Sequence, residues 1–365
     1  MLTATRRLIA VLLLALFRAA SLAAQNTDAV PYPTPVEGDF VMRDFAFGSG
    51  ERLPELRIHY RTLGTPVRDA GGHVRNAVLV LHGTTGNGAN FLTPTFAGHL
   101  FGPGQPLDAR RYFIILPDGI GHGRSSRPSE RLHARFPRYT YDDMVRAQHR
   151  LVTEGLGVDH LRLVMGTSMG GMHTWVWGYT HPEMMDALMP LASAPVQIAG
   201  RNRMMRRMIM DDIRGDPEWR GGDYTAQPRG LADAVHVLML MTSAPLQQQK
   251  AAPTRDAADS LLEAGVRRYT QTLDANDMLY AFDASRDYDP SPHLGQIRAP
   301  LLAVNSADDE VNPPELGILE REIAKVPHGR YVLIPTSDQT RGHGTHSVPA
   351  VWGRYLVELL ARTER

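Results

Sequence analysis

The sequence predicts an α/β fold in which a mostly parallel sheet is flanked by helices. Short, nearly uninterrupted apolar runs alternate with segments whose apolar residues recur every three or four positions. Alternating strands and helices are typical of parallel sheets, and strands that are buried on both faces have such continuous apolar runs. One long segment late in the chain interrupts this alternation, and an insertion of this size between core strands usually forms a cap.

Six apolar runs are the predicted strands of the sheet. They occupy residues 76–82, 112–117, 161–165, 187–192, 300–304 and 331–334. Apolar spacing predicts core helices over 142–156 and 170–181, and the second of these ends before Pro182. The core domain is therefore assigned to residues 38–198 and 291–365.

The cap is assigned to residues 199–290, which are rich in Arg, Met, Asp and Gly. Helical spacing is present over 232–241 and 256–269. The segment lies between the fourth and fifth predicted strands, so the cap is inserted late in the sheet. A helical subdomain with a purely structural role is the alternative to a cap over the site.

Residues 1–24 have the features of a secretory signal peptide. Arg6 and Arg7 precede an apolar run over 8–17, and small residues follow it. The run is shorter than the ~20 residues of a membrane-spanning helix, and an uncleaved N-terminal anchor is the alternative. Residues 25–37 contain a Pro-rich stretch and are expected to form an extended leader. We therefore expect export to the periplasm or beyond, with no membrane attachment after cleavage.

The composition excludes several classes of protein. The 39 basic residues balance 39 acidic ones, so the chain lacks the electrostatic footprint of a nucleic-acid-binding protein. Cysteine is absent, which excludes disulfides, cysteine-ligated metals and a thiol nucleophile. Hydrophobic residues make up 43% of the chain, which is typical of a folded protein and not of a disordered one.

The strongest motif is Gly166-Thr-Ser-Met-Gly170, which fits G-x-S-x-G. It follows a predicted strand and opens a predicted helix, which is the context of a nucleophile elbow. In such an elbow a sharp turn exposes the serine above the sheet, and the start of the helix directs an N–H toward developing negative charge. Ser168 is therefore the predicted nucleophile, and the N–H of Met169 is one predicted oxyanion donor. A tight structural turn is the alternative.

A serine hydroxyl needs a base, and the acid and the histidine follow the serine in chains with this motif. Asp309 follows a predicted strand and precedes Pro313 by four residues, so it is the predicted acid. Asp308 is the fallback, and a solvated acidic loop is the alternative. His343, on a glycine-flanked loop after the last strand, is the predicted base, and His346 is assigned to the start of the C-terminal helix. The His-x-x-His spacing also suits a metal, but no carboxylate or third histidine lies at ligand spacing.

The second oxyanion donor is predicted in the loop that follows the first apolar run. His82-Gly-Thr-Thr-Gly86 is a His-Gly loop of the kind that supplies such a donor, and the N–H of Thr84 is the candidate. His82 is expected to orient this loop, and the glycine-rich stretch 118–126 to shape the site. Neither stretch matches a phosphate-binding or dinucleotide-binding pattern. No metal or organic cofactor is expected.

These features resemble the homoserine O-acetyltransferase branch of the α/β-hydrolase superfamily, over residues 38–360. The matching stretches are 143–148, 166–171, 216–224 and 228–231, together with Asp309, Pro313 and Pro314. The resemblance implies an α/β-hydrolase fold and an acyl-serine intermediate, with acetyl-CoA as the acetyl donor and an amino-acid hydroxyl as the acceptor. It also implies that His343 is the catalytic histidine, that Thr84 lies in the oxyanion hole, and that a homodimer forms through the cap.

Two features nevertheless favour hydrolysis over transfer. The family carries an arginine soon after the Gly-Leu pair of the cap, where it holds the substrate carboxylate, whereas residues 230–236 contain none. Arg206, Arg207 and Tyr224 are the remaining candidates for substrate binding. A signal peptide also directs the chain to a compartment where acetyl-CoA is not expected, and transfer prevails over hydrolysis only when an acceptor is held in place.

The main interpretation is therefore an exported serine hydrolase that cleaves an ester or a related acyl bond in a small molecule. His343, oriented by Asp309, deprotonates Ser168, which attacks the acyl carbonyl, and water then releases the acyl group. The alternative is a homoserine O-acetyltransferase-like enzyme, for which acetyl-CoA is a co-substrate. A non-catalytic binding protein on the same fold is a minor alternative.

Overall fold

The structure, a computed structural model, describes residues 31–364. The predicted signal peptide lies outside these residues. Eight strands form one sheet in the order β1-β2-β4-β3-β5-β6-β7-β8. Their bounds are β1 (Val36–Ala46), β2 (Arg52–Leu63), β3 (Ala77–Leu81), β4 (Phe113–Pro117), β5 (Leu163–Thr167), β6 (Leu188–Leu191), β7 (Leu301–Ser306) and β8 (Gly329–Ile334). Strands β3 to β8 pair in parallel, whereas β2 is antiparallel to both β1 and β4. The predicted α/β fold with a mostly parallel sheet is confirmed.

Strands β1 and β2 form an antiparallel hairpin that the apolar runs do not predict. In β1 a buried residue such as Met42 has exposed neighbours, and in the second half of β2 the buried residues include the polar His59 and Arg61. Neither strand is therefore a continuous apolar run of the kind found in strands buried among apolar side chains. The hairpin pairs Val36 with Thr62, so β1 begins inside the segment 25–37 that was predicted as an extended leader.

Helices cover both faces of the sheet. The core helices are α1 (Ala97–Leu100), α2 (Tyr141–Arg150), α3 (Met169–Thr180), α9 (Ile318–Glu322) and α10 (Pro349–Arg362). Successive residues of β3, such as Leu79 and Val80, belong to two different hydrophobic clusters, because their side chains point to opposite faces. The helix predicted over 142–156 ends as an α-helix at Arg150 and continues as one π-helical turn, Leu151–Gly155.

The inserted segment forms five helices between β6 and β7. They are α4 (Gly200–Gly215), α5 (Gly230–Thr242), α6 (Pro245–Ala251), α7 (Arg255–Thr272) and α8 (Ala275–Asp283). Apolar residues of α4, α5 and α8, with partly buried residues of α7, form a separate hydrophobic cluster, which includes Ile209, Leu231 and Phe282 and takes in Val311 from the core. Among residues 31–364, no helix has both the length and the apolar character needed to cross a membrane.

Hydrogen bonds from α8 fasten the cap to the core. The hydroxyl of Tyr280 donates to the carbonyl oxygen of Phe136 over 2.7 Å. The carboxylate of Asp277 accepts from the N–H of Ser129 over 2.9 Å and from its hydroxyl over 2.7 Å. Burial raises the pKa of Asp277 to about 7, although the Ser129 hydrogen bonds oppose this shift. This cap–core contact therefore includes a carboxyl group that titrates near neutral pH.

Stability is expected to depend on pH through Asp277. Its pKa is higher in the folded state than the ordinary value of 3.8, so its protonation stabilises the fold at acid pH. That contribution is lost as the pH rises through 7. Relative to Asp277→Asn, the free energy of unfolding of the wild type should fall by about 2 kcal/mol between pH 5 and pH 8, as measured by urea titration. Asp256→Asn, at an exposed carboxylate of the cap, should parallel the wild type, and parallel curves for Asp277→Asn would contradict the prediction.

Candidate active site

Ser168 occupies the sharp turn between β5 and α3. The strand ends at Thr167, the helix begins at Met169, and Ser168 between them has φ 54° and ψ −113°. A positive φ strains the backbone of a residue with a side chain, and such strain is found mainly at functional sites. The turn requires close backbone approach, since a Cβ on Gly170 would lie 2.0 Å from the carbonyl oxygen of Leu81. The G-x-S-x-G motif thus forms a strand–turn–helix elbow with the serine at its tip.

The structure brings Ser168, His343 and Asp309 together in one hydrogen-bonded chain. The Nε2 atom of His343 lies 2.8 Å from the Ser168 hydroxyl oxygen. Its Nδ1 atom lies 3.0 Å from each carboxylate oxygen of Asp309. An ionised carboxylate only accepts, so Nδ1 carries the proton and Nε2 is free to accept from the serine hydroxyl. This is the geometry that a serine nucleophile and its base require.

Asp309 is held ionised by its surroundings. It is buried, and burial alone would raise the pKa of its carboxyl group. The charge of His343, the hydrogen bond to it and hydrogen bonds from the N–H of Val311 and the side chain of Asn312 outweigh burial, so the pKa lies below its ordinary value. Asn312 was not predicted as a site residue. Its position three residues after an aspartate in a loop is a signal that could have identified it, because Asp side chains often accept from N–H groups two or three residues on.

The neighbouring acids have different partners. Asp308, the fallback for the acid, accepts from the Thr340 hydroxyl over 2.8 Å and from the N–H of Gly342 over 2.9 Å. It therefore anchors the loop that carries His343. Glu310 forms an ion pair with Arg201 of the cap. Of the three consecutive acidic residues, only Asp309 contacts the histidine.

The loop after β3 passes beside Ser168. A Cβ on Gly83 would lie 3.5 Å from the Cβ of Ser168. The next residue, Thr84, lines the same cavity as the serine, and its N–H has no acceptor within residues 31–364. The N–H of Met169 also lacks an intrahelical partner, because Met169 is the first residue of α3. Both predicted oxyanion donors therefore border the serine.

Two histidines support this loop. His82 donates from Nδ1 to the carbonyl oxygen of Gly83 over 2.8 Å and accepts at Nε2 from the N–H of Gly119. Burial, followed by the charge of His122, lowers the pKa of His82 to about 4, so the ring stays neutral. The Nε2 atom of His122 lies 2.6 Å from the carbonyl oxygen of Thr84, and its Nδ1 atom lies 2.8 Å from that of Ile120. The sequence predicted only a general role for His82 in orienting this loop. The contact between His122 and Thr84 was not predicted.

His346 lies outside the C-terminal helix to which it was assigned. It belongs to a 3₁₀ turn, Gly344–Ser347, that precedes α10. Its ring packs edge-on against that of His343, with centroids 5.2 Å apart. Burial, with a smaller contribution from the charge of His343, lowers the pKa of His346 to about 3. A neutral ring therefore packs against the base and adds no competing charge.

Core and cap residues together line a cavity of about 660 Å³ that is open to solvent and includes Ser168 in its wall. Cap residues that line it are Arg206, Leu238, Met241, Thr242, Tyr269, Thr272, Leu273 and Phe282. This size is within the range of small-molecule sites, about 300–1,000 Å³. The inserted helices therefore supply part of the wall around the serine.

Arg206 lies in this cavity and is almost fully buried, at 1% exposure. Its Nε atom donates to the side-chain oxygen of Asn202 over 2.9 Å, and its Nη1 atom donates to the Ser285 hydroxyl over 3.1 Å. The guanidinium carbon lies 5.4 Å from the centroid of the Phe282 ring. Both hydrogen-bond acceptors are neutral, and no ion pair of Arg206 is present within residues 31–364. The cavity thus contains a buried cation without a counterion.

The other predicted substrate residues do not reach the cavity. Arg207 is 64% exposed and pairs with Asp211 one turn along α4. The hydroxyl of Tyr224 donates to Asp274 within the cap over 2.7 Å. Of the three candidates for substrate binding, only Arg206 therefore lines the cavity that contains the serine.

Comparisons with known proteins agree on the family. The family described as alpha/beta hydrolase fold matches residues 76–339. A homoserine O-acetyltransferase from Moorella thermoacetica is 33% identical over 308 residues, covering 73% of this chain and 80% of that protein. A protein from Methanothermobacter thermautotrophicus, named "Probable acyltransferase", is 31% identical over 278 residues, covering 76% of this chain and 84% of its own.

Solved structures share the same fold. Homoserine O-acetyltransferase from Bacillus anthracis superposes with a TM-score of 0.78 at 20% identity, over 90% of this chain and 98% of that chain. Esterase E22 superposes with a TM-score of 0.77 at 20% identity, over 90% of this chain and all of that chain. Enzymes of both kinds, transferase and esterase, therefore have this architecture.

Proposed function

The chain belongs to the alpha/beta hydrolase family, in its homoserine O-acetyltransferase-like branch, and on that premise we propose that it transfers an acyl group through Ser168 to the hydroxyl of a carboxylate-bearing acceptor. It is an enzyme of the hydrolase or acyltransferase type. The observation that carries the proposal is the unpaired guanidinium of Arg206 in the cavity of the serine. The names of the relatives support transfer. The signal-peptide features of residues 1–24 and the missing arginine in residues 230–236 favour hydrolysis instead.

The proposed reaction has two stages, acylation of Ser168 and transfer of the acyl group to the acceptor, and in each a hydroxyl gives its proton to His343. The Ser168 hydroxyl gives its proton to Nε2 of His343 as its oxygen attacks the acyl carbonyl, and the N–H groups of Thr84 and Met169 stabilise the oxyanion. The tetrahedral intermediate collapses, and the leaving group of the donor, a thiolate in the case of acetyl-CoA, takes the proton from His343. The acceptor hydroxyl then gives its proton to His343 and attacks the acyl-serine, which frees the serine oxygen to take that proton back.

The environment of Arg206 supports an anionic group on the acceptor. Burying a charge without a partner costs several kcal/mol, since neutral hydrogen bonds replace its hydration only in part. A carboxylate that enters the cavity restores the missing counter-charge, and a guanidinium binds it through two parallel hydrogen bonds. Held in this way, the acceptor competes with water by the high effective concentration of an oriented group.

Hydrolysis is the second candidate, favoured by one structural observation. No residue of the segment 230–236 lines the cavity, so this segment adds no second cation to it. An acceptor with a single anchor is held less firmly, and water then takes its place at the acyl-serine. Export, which we also propose from residues 1–24, favours water further because acetyl-CoA is not expected outside the cytoplasm.

The test compares Arg206→Met with Arg207→Met, its exposed neighbour on α4. With acetyl-CoA and homoserine as substrates, thiol release should require homoserine, and Arg206→Met should raise the KM for homoserine about 100-fold. Turnover of p-nitrophenyl acetate, which has no carboxylate, should change less than about threefold, and Arg207→Met should behave as wild type. Thiol release that is independent of any hydroxyl acceptor would instead establish hydrolysis, and an equal effect of Arg206→Met on both substrates would remove its role in carboxylate binding.

A further inference from the structure

The first turn of α4 contacts the loop that carries Asp309. Arg201 forms an ion pair with Glu310 of this loop. The Nδ2 atom of Asn202, the next residue of the helix, lies 3.3 Å from the carbonyl oxygen of Val311 and donates to it. Asn202 does not line the cavity that contains the serine. The reaction proposed above therefore assigns it no role.

The side-chain amide of Asn202 has one partner at each end. Its Oδ1 atom accepts from the Nε atom of Arg206 over 2.9 Å, and its Nδ2 atom donates to Val311. A guanidinium can only donate and a carbonyl oxygen can only accept, so these two partners fix the orientation of the amide. Asn202 therefore bridges the buried cation of the cap and the core loop that follows β7.

This bridge continues to the carboxylate of Asp309. The carbonyl group of Val311 belongs to the same peptide group as the N–H of Asn312, and this N–H donates to Oδ1 of Asp309 over 3.2 Å. The N–H of Val311 donates to the same oxygen over 2.8 Å. A guanidinium, a side-chain amide, a backbone peptide group and a carboxylate are thus joined in one chain of hydrogen bonds.

The direction of these hydrogen bonds suits the charges at the two ends of the chain. Both amide groups turn their oxygen toward the cation and their N–H toward the anion, so their dipoles are oriented favourably between the two charges. Arg206 and Asp309 are each 1% exposed, so water screens these interactions little, and each hydrogen bond of such a chain strengthens the next by about 10–30%. Loss of the Asn202 amide would interrupt the chain at its centre and deprive the Nε atom of Arg206 and the carbonyl oxygen of Val311 of this partner.

From these contacts we infer that Asn202 is a positioning residue, which holds the guanidinium that binds the acceptor and the loop that carries Asp309 in one fixed arrangement. At its acceptor end this role rests on the proposed function. Asn202 acts through Arg206 and Asp309 and not on the substrate itself. The arrangement matters because the acceptor hydroxyl must meet the acyl-serine, and a displacement of ~1 Å can slow such a step by about 100-fold.

Asn202→Leu tests this role, because leucine has a branched side chain of similar length without hydrogen-bonding atoms. The substitution should lower kcat for p-nitrophenyl acetate about tenfold through Asp309 and raise the KM for homoserine about tenfold through Arg206. The control is Arg201→Met, which breaks the ion pair with the same loop but leaves the chain of hydrogen bonds intact. Because the Arg201 side chain is 59% exposed, both constants should change less than about twofold in this variant.

Two further measurements separate positioning from a general loss of structure. In proton NMR spectra the proton between Nδ1 of His343 and Asp309 should resonate far downfield, and Asn202→Leu should shift this resonance whereas Arg201→Met should not. In an Arg206→Met background, Asn202→Leu should no longer raise the KM for homoserine, because two residues that act through one contact have non-additive effects. Circular dichroism verifies that each variant is folded.

Several results would overturn the inference. They are an unchanged ester kcat together with an unchanged resonance in Asn202→Leu, equal effects of Asn202→Leu and Arg201→Met, and a KM effect of Asn202→Leu that persists in the Arg206→Met background. If the leucine prevents folding, Asn202→Ala removes the same hydrogen bonds without adding volume and should give the same results. Failure of the proposed function is recognised separately, since thiol release by the wild type then needs no homoserine, whereas the ester kcat and the resonance still report whether Asn202 positions Asp309.

Discussion

Ser168→Ala is expected to lower kcat for acyl-ester turnover by about 10⁶-fold, because the nucleophile and its base act as a unit. The hydroxyl lies 2.8 Å from Nε2 of His343, and alanine leaves the base with nothing to activate. The remaining rate comes from substrate binding and the oxyanion donors. Steady-state kinetics with p-nitrophenyl acetate measures this loss, and mass mapping after a fluorophosphonate inhibitor should find the adduct on Ser168.

The matched control is Ser347→Ala, at a second serine that lines the same cavity. Its hydroxyl contacts His346 and not His343, so activity and labelling should persist. Retention of more than about one part in a thousand of the activity by Ser168→Ala would contradict a serine mechanism that gives losses of about 10⁶-fold. An adduct on any other residue would do the same.

Asp309→Asn is expected to lower kcat by about 10⁴-fold at neutral pH. An amide can turn its N–H₂ group toward the imidazole, which then holds its proton on Nε2 and cannot accept from the serine. The lowered pKa of Asp309 means that the carboxylate stays charged down to the ordinary value of 3.8 and below. Protonation of Asp309 therefore should not contribute to any loss of wild-type activity above pH 4, as a pH–rate profile measures.

Asp308→Asn is the control for this prediction. Asp308 has the same charge one residue earlier, but it contacts Thr340 and Gly342 and not the imidazole. Its variant should lose far less activity, because His343 keeps its own carboxylate. Equal losses in the two variants would mean that the loop anchor, and not the contact with the imidazole, controls the rate.

The sequence predicts the elements of the site that depend on local motifs and chain order. Ser168 is identified by a five-residue pattern between a strand and a helix, and Asp309 and His343 by their positions after later strands. In the structure the three side chains form one hydrogen-bonded chain. The choice of Asp309 over Asp308 depended on its spacing to Pro313, and the structure places Asp309 against the imidazole and Asp308 under the histidine loop.

Other parts of the structure depend on contacts that apolar runs do not reveal. In the β1–β2 hairpin polar and charged residues separate the apolar ones, and several of these polar residues are themselves buried in β2, so a search for continuous apolar runs does not find these strands. Arg206 and Arg207 are adjacent in sequence, but successive helical residues are about 100° apart, so one faces the cavity and the other the solvent. The helical periodicity of α4 could have distinguished the two arginines, because Arg206 lies on the same helix face as the buried Ile209 and Ile213.

Because the cap is inserted between β6 and β7, the core and the cap contribute different residues to the site. The proposed nucleophile, base, acid and oxyanion donors all come from the core, whereas the cap contributes Arg206 and part of the cavity wall. Substitutions in residues 200–283 can therefore change which substrate the cavity binds, while the core residues proposed for the reaction stay the same. Relatives that share a scaffold but differ in chemistry are a natural outcome of such modularity.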